Sequence, residues 1–150
     1  MSETSTEAQA QAARRAVPMR GAYLRLPRSP GERAALEGSR CPQCRCTFYP
    51  PRYVCLNCFH EGLDTVALST HGKVWTFTIA RMSLPGSFVN APYVIAQVEL
   101  QDGVTVPGVL DGVDPEAVRI GMPVELVVEK VSVNAEGEDV MVFKFRPAAE

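Results

Sequence analysis

No run of apolar residues in this sequence approaches the roughly 18 needed to cross a bilayer as a helix, so no membrane-spanning segment is expected. The opening stretch, MSETSTEAQAQAARRA, likewise has no apolar core that could serve as a secretory signal. Both absences point to a soluble, cytoplasmic protein. In that compartment thiols stay reduced, and grouped cysteines mean metal more often than disulfides. Internal repeats are missing. So are the short motifs of common catalysis: there is no G-x-S-x-G, no H-E-x-x-H, no Walker-type phosphate loop and no G-x-G-x-x-G. A cysteine nucleophile needs a histidine partner and a thiol outside any metal site, which leaves only Cys46. The two histidines, His60 and His71, read as satisfied loop or surface side chains, and the acidic residues are scattered over turns and strand exteriors. No catalytic residue is assigned.

What is present is a chain of 150 residues, 46% hydrophobic, which suffices for one domain or for two small ones sharing an interface. Its charge is uneven. Residues 1–53 hold nine Arg against four Glu, whereas the remainder holds six Lys and Arg against thirteen Asp and Glu. The basic half suits an acidic partner surface or a phosphorylated ligand. Arg14, Arg15, Arg20, Arg25 and Arg28 read equally well as solvated charges.

Residues 1–17 are rich in Ala, Gln, Glu and Ser and have some helical tendency. Pro18, Pro27 and Pro30 then forbid a long helix, and GERAALEG (31–38) is expected to form a short one leading to the first cysteine. Beyond residue 70 strand signals come in series. GKVWTFTIAR (72–81) sets Trp75, Phe77 and Ile79 on one face, and YVIAQVELQ (93–101) sets Val94, Ala96, Val98 and Leu100 against Gln97 and Glu99. VTVPGVLDG (104–112) is weakened by Pro107 and Gly108, which suggests a bulge or an edge. PVELVVEKVSV (123–133) and DVMVFKFR (139–146) are joined by the hairpin loop NAEGE. Asp114 can cap a turn of helix beginning at Pro115. Five strands with a short helix between the third and fourth is the element order of the oligonucleotide/oligosaccharide-binding (OB) barrel. The fold class is therefore mainly β, divided as residues 1–38 (tail and short helical segment), 39–66 (zinc ribbon) and 67–150 (barrel).

The metal site carries the sharpest signal. Cys41-x2-Cys44 and Cys55-x2-Cys58 are two tight turns that can aim four thiolates at one ion in a closed tetrahedral site. All five cysteines fall within 18 residues, too dense and too regularly paired for ordinary core thiols. TFYPPRYV, stiffened by Tyr49, Pro50 and Pro51, separates the pairs. Rubredoxins hold iron with the same ligand set, but nothing else here suggests redox chemistry, which favours structural zinc. Metal binding must supply much of this small module's folding free energy. Cys46 can in principle replace Cys44, although the spacing prefers Cys44 and leaves Cys46 a half-buried thiol.

Taken in order, RCPQCRCTFYPPRYVCLNC, HGKVWTFTI, APYVIAQVEL followed by DGV, the Gly108 region and IGMPVEL resemble one family. It comprises zinc-ribbon OB-fold proteins associated with acyl-CoA enzymes, long labelled a domain of unknown function. The resemblance covers roughly residues 31–131. Two departures stand out: Cys46 where a Gly is usual after the second cysteine, and Asn57 where a Pro is common. The resemblance implies a rubredoxin-like ribbon and a non-catalytic accessory subunit in a hetero-oligomer. The implied partner is a thiolase-type enzyme first, or else an enoyl-CoA hydratase-type enzyme, with coenzyme A thioester reaching the chain through the complex. Tyr53, Phe59 and Trp75 are candidate contact aromatics, although Trp75 fits the barrel core better. A nucleic-acid module is the rival from another class. It needs a basic, aromatic groove on the second and third barrel strands, and YVIAQVELQDGVTVPGV has no Lys or Arg and only Tyr93.

Overall fold

Alternation of apolar and polar residues sets the strands of the second half, and the computed structural model follows them closely. Described here are residues 15–149 apart from 20 and 22. The strands are β1 (Ala16–Pro18), β2 (Leu24–Arg25), β3 (Ala35–Arg40), β4 (Thr47–Phe48), β5 (Asp64–Ala67), β6 (His71–Ala80), β7 (Tyr93–Leu100), β8 (Thr105–Leu110), β9 (Pro123–Val133) and β10 (Asp139–Pro147). A single 3-10 turn, Pro115–Ala117, is the only helical element among the described residues. Asp114 caps it, its Oδ1 accepting from the Glu116 N–H at 2.9 Å.

Strands β6 to β10 close a five-stranded barrel in the order β8-β7-β6-β9-β10 and back to β8. Antiparallel pairs make most of it, and a parallel meeting of β10 and β8 at Phe145 and Leu110 completes the ring. This is the OB arrangement. Val94, Ala96, Val98 and Leu100 are all buried, so the alternation of β7 translates directly into an inner face. Between Val74 and Thr76 a bulge in β6 inserts one residue and changes the parity of the strand. Val74 is thereby buried together with the half-buried Phe77 and Ile79, and Trp75 is turned out, 58% exposed. The expected core role of Trp75 is corrected by that one extra residue.

Closure is weakest where β8 meets β10 through one residue pair. Lys144, 7% exposed at its side chain, bridges the seam by pairing with Glu129 at 2.7 Å and Asp111 at 3.3 Å. Burial works against its charge, but the two carboxylates prevail and hold the ammonium above its usual pKa. Its Nζ also sits 5.8 Å from the centroid of Phe88, tying down the loop between β6 and β7.

The short helix expected over residues 31–38 does not form: β3 occupies its second half. Tertiary pairing overrides local propensity there, because β3 has antiparallel partners in β2, β4 and β5. It also sends Leu36, 1% exposed, into the same core that Leu24, Leu68 and the barrel residues share. The helical tendency expected for residues 1–17 lies outside the described residues up to 14, and beyond that the chain is extended. β1 runs parallel to β10, with Asp139 N–H donating to Arg15 O and Met19 N–H to Met141 O.

Gly72 sits where β6 meets both β7 and β9, opposite Leu100 and Val124. A Cβ there would collide with the Glu99 carbonyl and stand 3.0 Å from the Leu100 Cα. At Gly108 it would strike the buried Phe145 ring at 2.8 Å. Overpacking of this kind costs about 1–3 kcal/mol. Urea unfolding of Gly72→Ala is expected to lie at the upper end, because backbone blocks the added methyl. Gly108→Ala is expected lower, since a ring can tilt.

Candidate metal centre

Two loops of matching geometry bring the cysteines together. The first joins β3 to β4 and holds Cys41 and Cys44. The second hangs from a single bridge between Val54 and Glu61 and holds Cys55 and Cys58. In the first, Arg45 N–H donates to Cys41 O at 2.9 Å and Cys41 N–H to Cys46 O at 2.9 Å. In the second, Phe59 N–H donates to Cys55 O at 3.0 Å and Cys55 N–H to His60 O at 2.9 Å. The residue after each second cysteine lies in the left-handed region, Arg45 at φ 65° and Phe59 at φ 63°. That backbone costs a residue other than glycine roughly 1–2 kcal/mol. The position demanding it in the first loop is thus Arg45, one residue before Cys46.

The four sulfurs of Cys41, Cys44, Cys55 and Cys58 lie within 4.8 Å of one another. Cys44 and Cys55 are closest at 3.4 Å, followed by Cys41 and Cys58 at 3.5 Å. A tetrahedral zinc with sulfur ligands near 2.3 Å needs edges of ~3.8 Å, so the donor set fits that ion. Backbone N–H groups of Cys44, Asn57 and Cys58 point at the sulfurs of Cys41 and Cys55 at 3.4–3.5 Å. Such donors fix the two sulfurs against the main chain.

Within the cluster Cys44 and Cys58 are pulled in opposite directions. Cys44 is drawn down to about 6, first by the Cys46 backbone N–H and then by Asn57. Cys58 goes up to about 12: the His60 backbone N–H lowers it, but burial and the sulfurs of Cys41, Cys44 and Cys55 outweigh that. A divalent cation relieves this mutual repulsion, and the set displaces protons as it takes up metal.

Cys46 is outside the four-sulfur group. Its thiol is hydrogen-bonded to Cys44, and that contact, with burial, raises it. His60 contributes its carbonyl to the second loop, and His71 lies 3.5 Å from Glu125 and 3.2 Å from Thr70 Oγ1. Neither joins the metal group. Among the described residues no second group of three or more His, Cys, Asp or Glu comes together, and no helix is long and apolar enough to cross a membrane. Tyr53 and Phe59 are 69% and 75% exposed, as contact residues must be. Leu56, 56% exposed, joins them from the cysteine loop; a lone Leu between two cysteines has no periodicity to mark it as exposed.

Comparison with known proteins agrees with this geometry. Residues 28–64 match the family model described as the ChsH2 rubredoxin-like zinc ribbon domain, and residues 65–129 match that of the ChsH2 C-terminal OB-fold domain. A DUF35 domain-containing scaffold protein of Methanothermobacter thermautotrophicus is 36% identical over 120 residues, covering 77% of this chain and 89% of that one. A benzoylsuccinyl-CoA thiolase subunit of Thauera aromatica is 29% identical, over 77% and 78% of the two chains. A probable enoyl-CoA hydratase alpha subunit of Thermomonospora curvata is 36% identical, over 58% of this chain and 27% of that one. Among solved structures, a chain of the Ltp2-ChsH2(DUF35) aldolase superposes with a TM-score of 0.63 at 32% identity, covering 77% and 86%.

Replacing Cys55 with Ser is expected to abolish stoichiometric zinc, measured by metal analysis, and to unfold the ribbon while amide signals of the barrel persist. Lowering the pH is expected to release the metal from the native chain, since protons compete for the thiolates. Arg45→Gly is expected to retain zinc and to gain about 0.5–1 kcal/mol, because it relieves the left-handed backbone.

Proposed function

Because the chain belongs to the DUF35 family of paired zinc-ribbon and OB-fold domains, we propose that it is a non-catalytic scaffold subunit of an acyl-CoA-processing complex, with a thiolase-type enzyme as its partner. One observation carries the choice of partner. The likeness to the benzoylsuccinyl-CoA thiolase subunit runs over about three quarters of both chains, so the two align over most of their lengths as units of similar size. The hydratase alpha subunit shares only a quarter of its own length, which makes a hydratase-type partner the second reading. The Ltp2-ChsH2(DUF35) aldolase supports the broader idea that such a chain works beside a catalytic protein.

In this reading Cys41, Cys44, Cys55 and Cys58 hold a structural zinc. A closed set of four protein ligands leaves no position for water or substrate, so the ion shapes the ribbon and takes no part in chemistry. The domain division follows the same lines, a ribbon and a barrel sharing the core around Leu36 and Leu68. Coenzyme A thioester enters as the partner's substrate. A cytoplasmic setting suits the reduced thiols. The nucleic-acid alternative has little to stand on. The outward positions of β7 and β8 are Tyr93, Ile95, Gln97, Glu99, Thr105, Pro107 and Val109, which offer one ring and no cation to a phosphate backbone.

The test is recovery of the tagged full chain from its native cells, with mass spectrometry and metal analysis of one sample. Stoichiometric recovery of a thiolase with one zinc per chain is the expected result. Recovery of a hydratase instead selects the second reading. Recovery of the chain alone, or with nucleic acid, overturns the proposal.

A further inference from the structure

The second cysteine loop is apolar on the outside to a degree that nothing within the chain explains. Of the large hydrophobic residues exposed in the described structure, Tyr53, Val54, Leu56 and Phe59 fall in one stretch of seven, at 69%, 37%, 56% and 75% exposure. Single exposed apolar side chains are ordinary, whereas a grouped set marks a contact surface. The set is held rigidly. Gly62 N–H donates to Tyr53 O at 2.9 Å, Val54 is bridged to Glu61, and Phe59 is fixed by its bond to Cys55 O. Among the described residues the aromatic ring pairs are Tyr23–Tyr49 and Phe143–Phe145, so neither Tyr53 nor Phe59 rests on another ring.

The first loop is the internal control. It has the same hydrogen bonds and the same left-handed residue, yet its exposed positions are Pro42, Gln43 and Arg45. The metal geometry therefore does not require apolar side chains on a cysteine loop. Phe59 is the sharpest case, because glycine would suit its backbone better and its ring touches water. A bulky residue kept in left-handed backbone, three quarters exposed and with no ring partner among the described residues, is held for something outside the chain.

We infer that the second cysteine loop, with Leu56 and Phe59 exposed on it, is the plug by which this chain docks into an apolar pocket rimmed by charges of both signs on its catalytic partner. The charged rim follows from the same surface. Arg45 on the first loop, Arg52 before the second, and Glu61 and Asp64 after it are all exposed, and none of the four has an ion-pair partner among the described residues. Aromatic anchors filling a pocket, ringed by charges that steer the approach, make up the energetic centre of many interfaces. The inference rests on the accessory-subunit reading above and names the surface that carries it out.

The experiment uses the full chain and the acyl-CoA enzyme recovered with it, purified and titrated against wild type, Phe59→Gly and Leu56→Asp. Phe59→Gly is expected to melt no lower than wild type and to keep its zinc, while binding the enzyme at least about 30-fold more weakly. A residue needed only for the ribbon's own fold would instead lose stability along with binding. Leu56→Asp, at an exposed position, is expected to weaken binding similarly with melting unchanged. Wild-type binding with both variants within threefold of it overturns the inference and leaves the accessory reading standing. Absence of binding by wild type removes both. Self-association of the wild-type chain that Phe59→Gly abolishes overturns the inference in favour of a second copy as the occupant.

Discussion

Between residues 41 and 63 only two side chains are buried, and they are Cys41 and Cys55, so this stretch has sulfur where a domain normally has hydrocarbon. Its backbone bends twice through left-handed residues and is tied mainly by hydrogen bonds back to the cysteines' own main chain. None of that is stable without a cation to gather four mutually repelling thiolates. The ribbon half of the molecule depends on it, and its influence reaches the barrel at one place. Strand β3 leads directly into Cys41 and also delivers Leu36 to the barrel core, so the order of the ribbon and the packing of the barrel are joined through a single strand.

That junction bears on how such a chain can serve a partner. The barrel contributes a stable frame with one seam, fastened by Lys144 and its two carboxylates. The ribbon contributes a small module whose shape four cysteine ligands and a bound cation would set instead of a core. A module built in this way can display apolar side chains that a hydrophobic core of equal size would draw inward. An accessory subunit needs that combination, since recognition residues are useful only when they stay outside and stay put.

Much of this was legible beforehand, for reasons that can be named. β9 begins at Pro123 and ends at Val133 as its alternation indicated, and β7 buried the four residues it was expected to bury. The four cysteines were readable because ligand spacing is a local property. Errors arose where distant contacts decided the outcome. Residues 35–38 have helix-forming composition, and only the presence of β2, β4 and β5 makes them a strand. Trp75 was placed on the wrong side by a bulge whose cause lies in the pairing with β7, invisible in a strand read alone. β1 is three residues with no pattern, recognisable only once β10 is there to receive it.

The pairing of β1 with β10 also orders events in time. β10, the last of the described strands to be synthesised, pairs with β9, meets β8 to complete the ring, and receives β1, the first. Barrel closure must therefore wait until β10 has left the ribosome, as expected for a fold dominated by distant contacts. The cysteine loops need only the 18 residues from Cys41 to Cys58. In a nascent chain the metal knuckles can be complete while the barrel is still an open sheet, so the ribbon is a finished object before there is a protein for it to belong to.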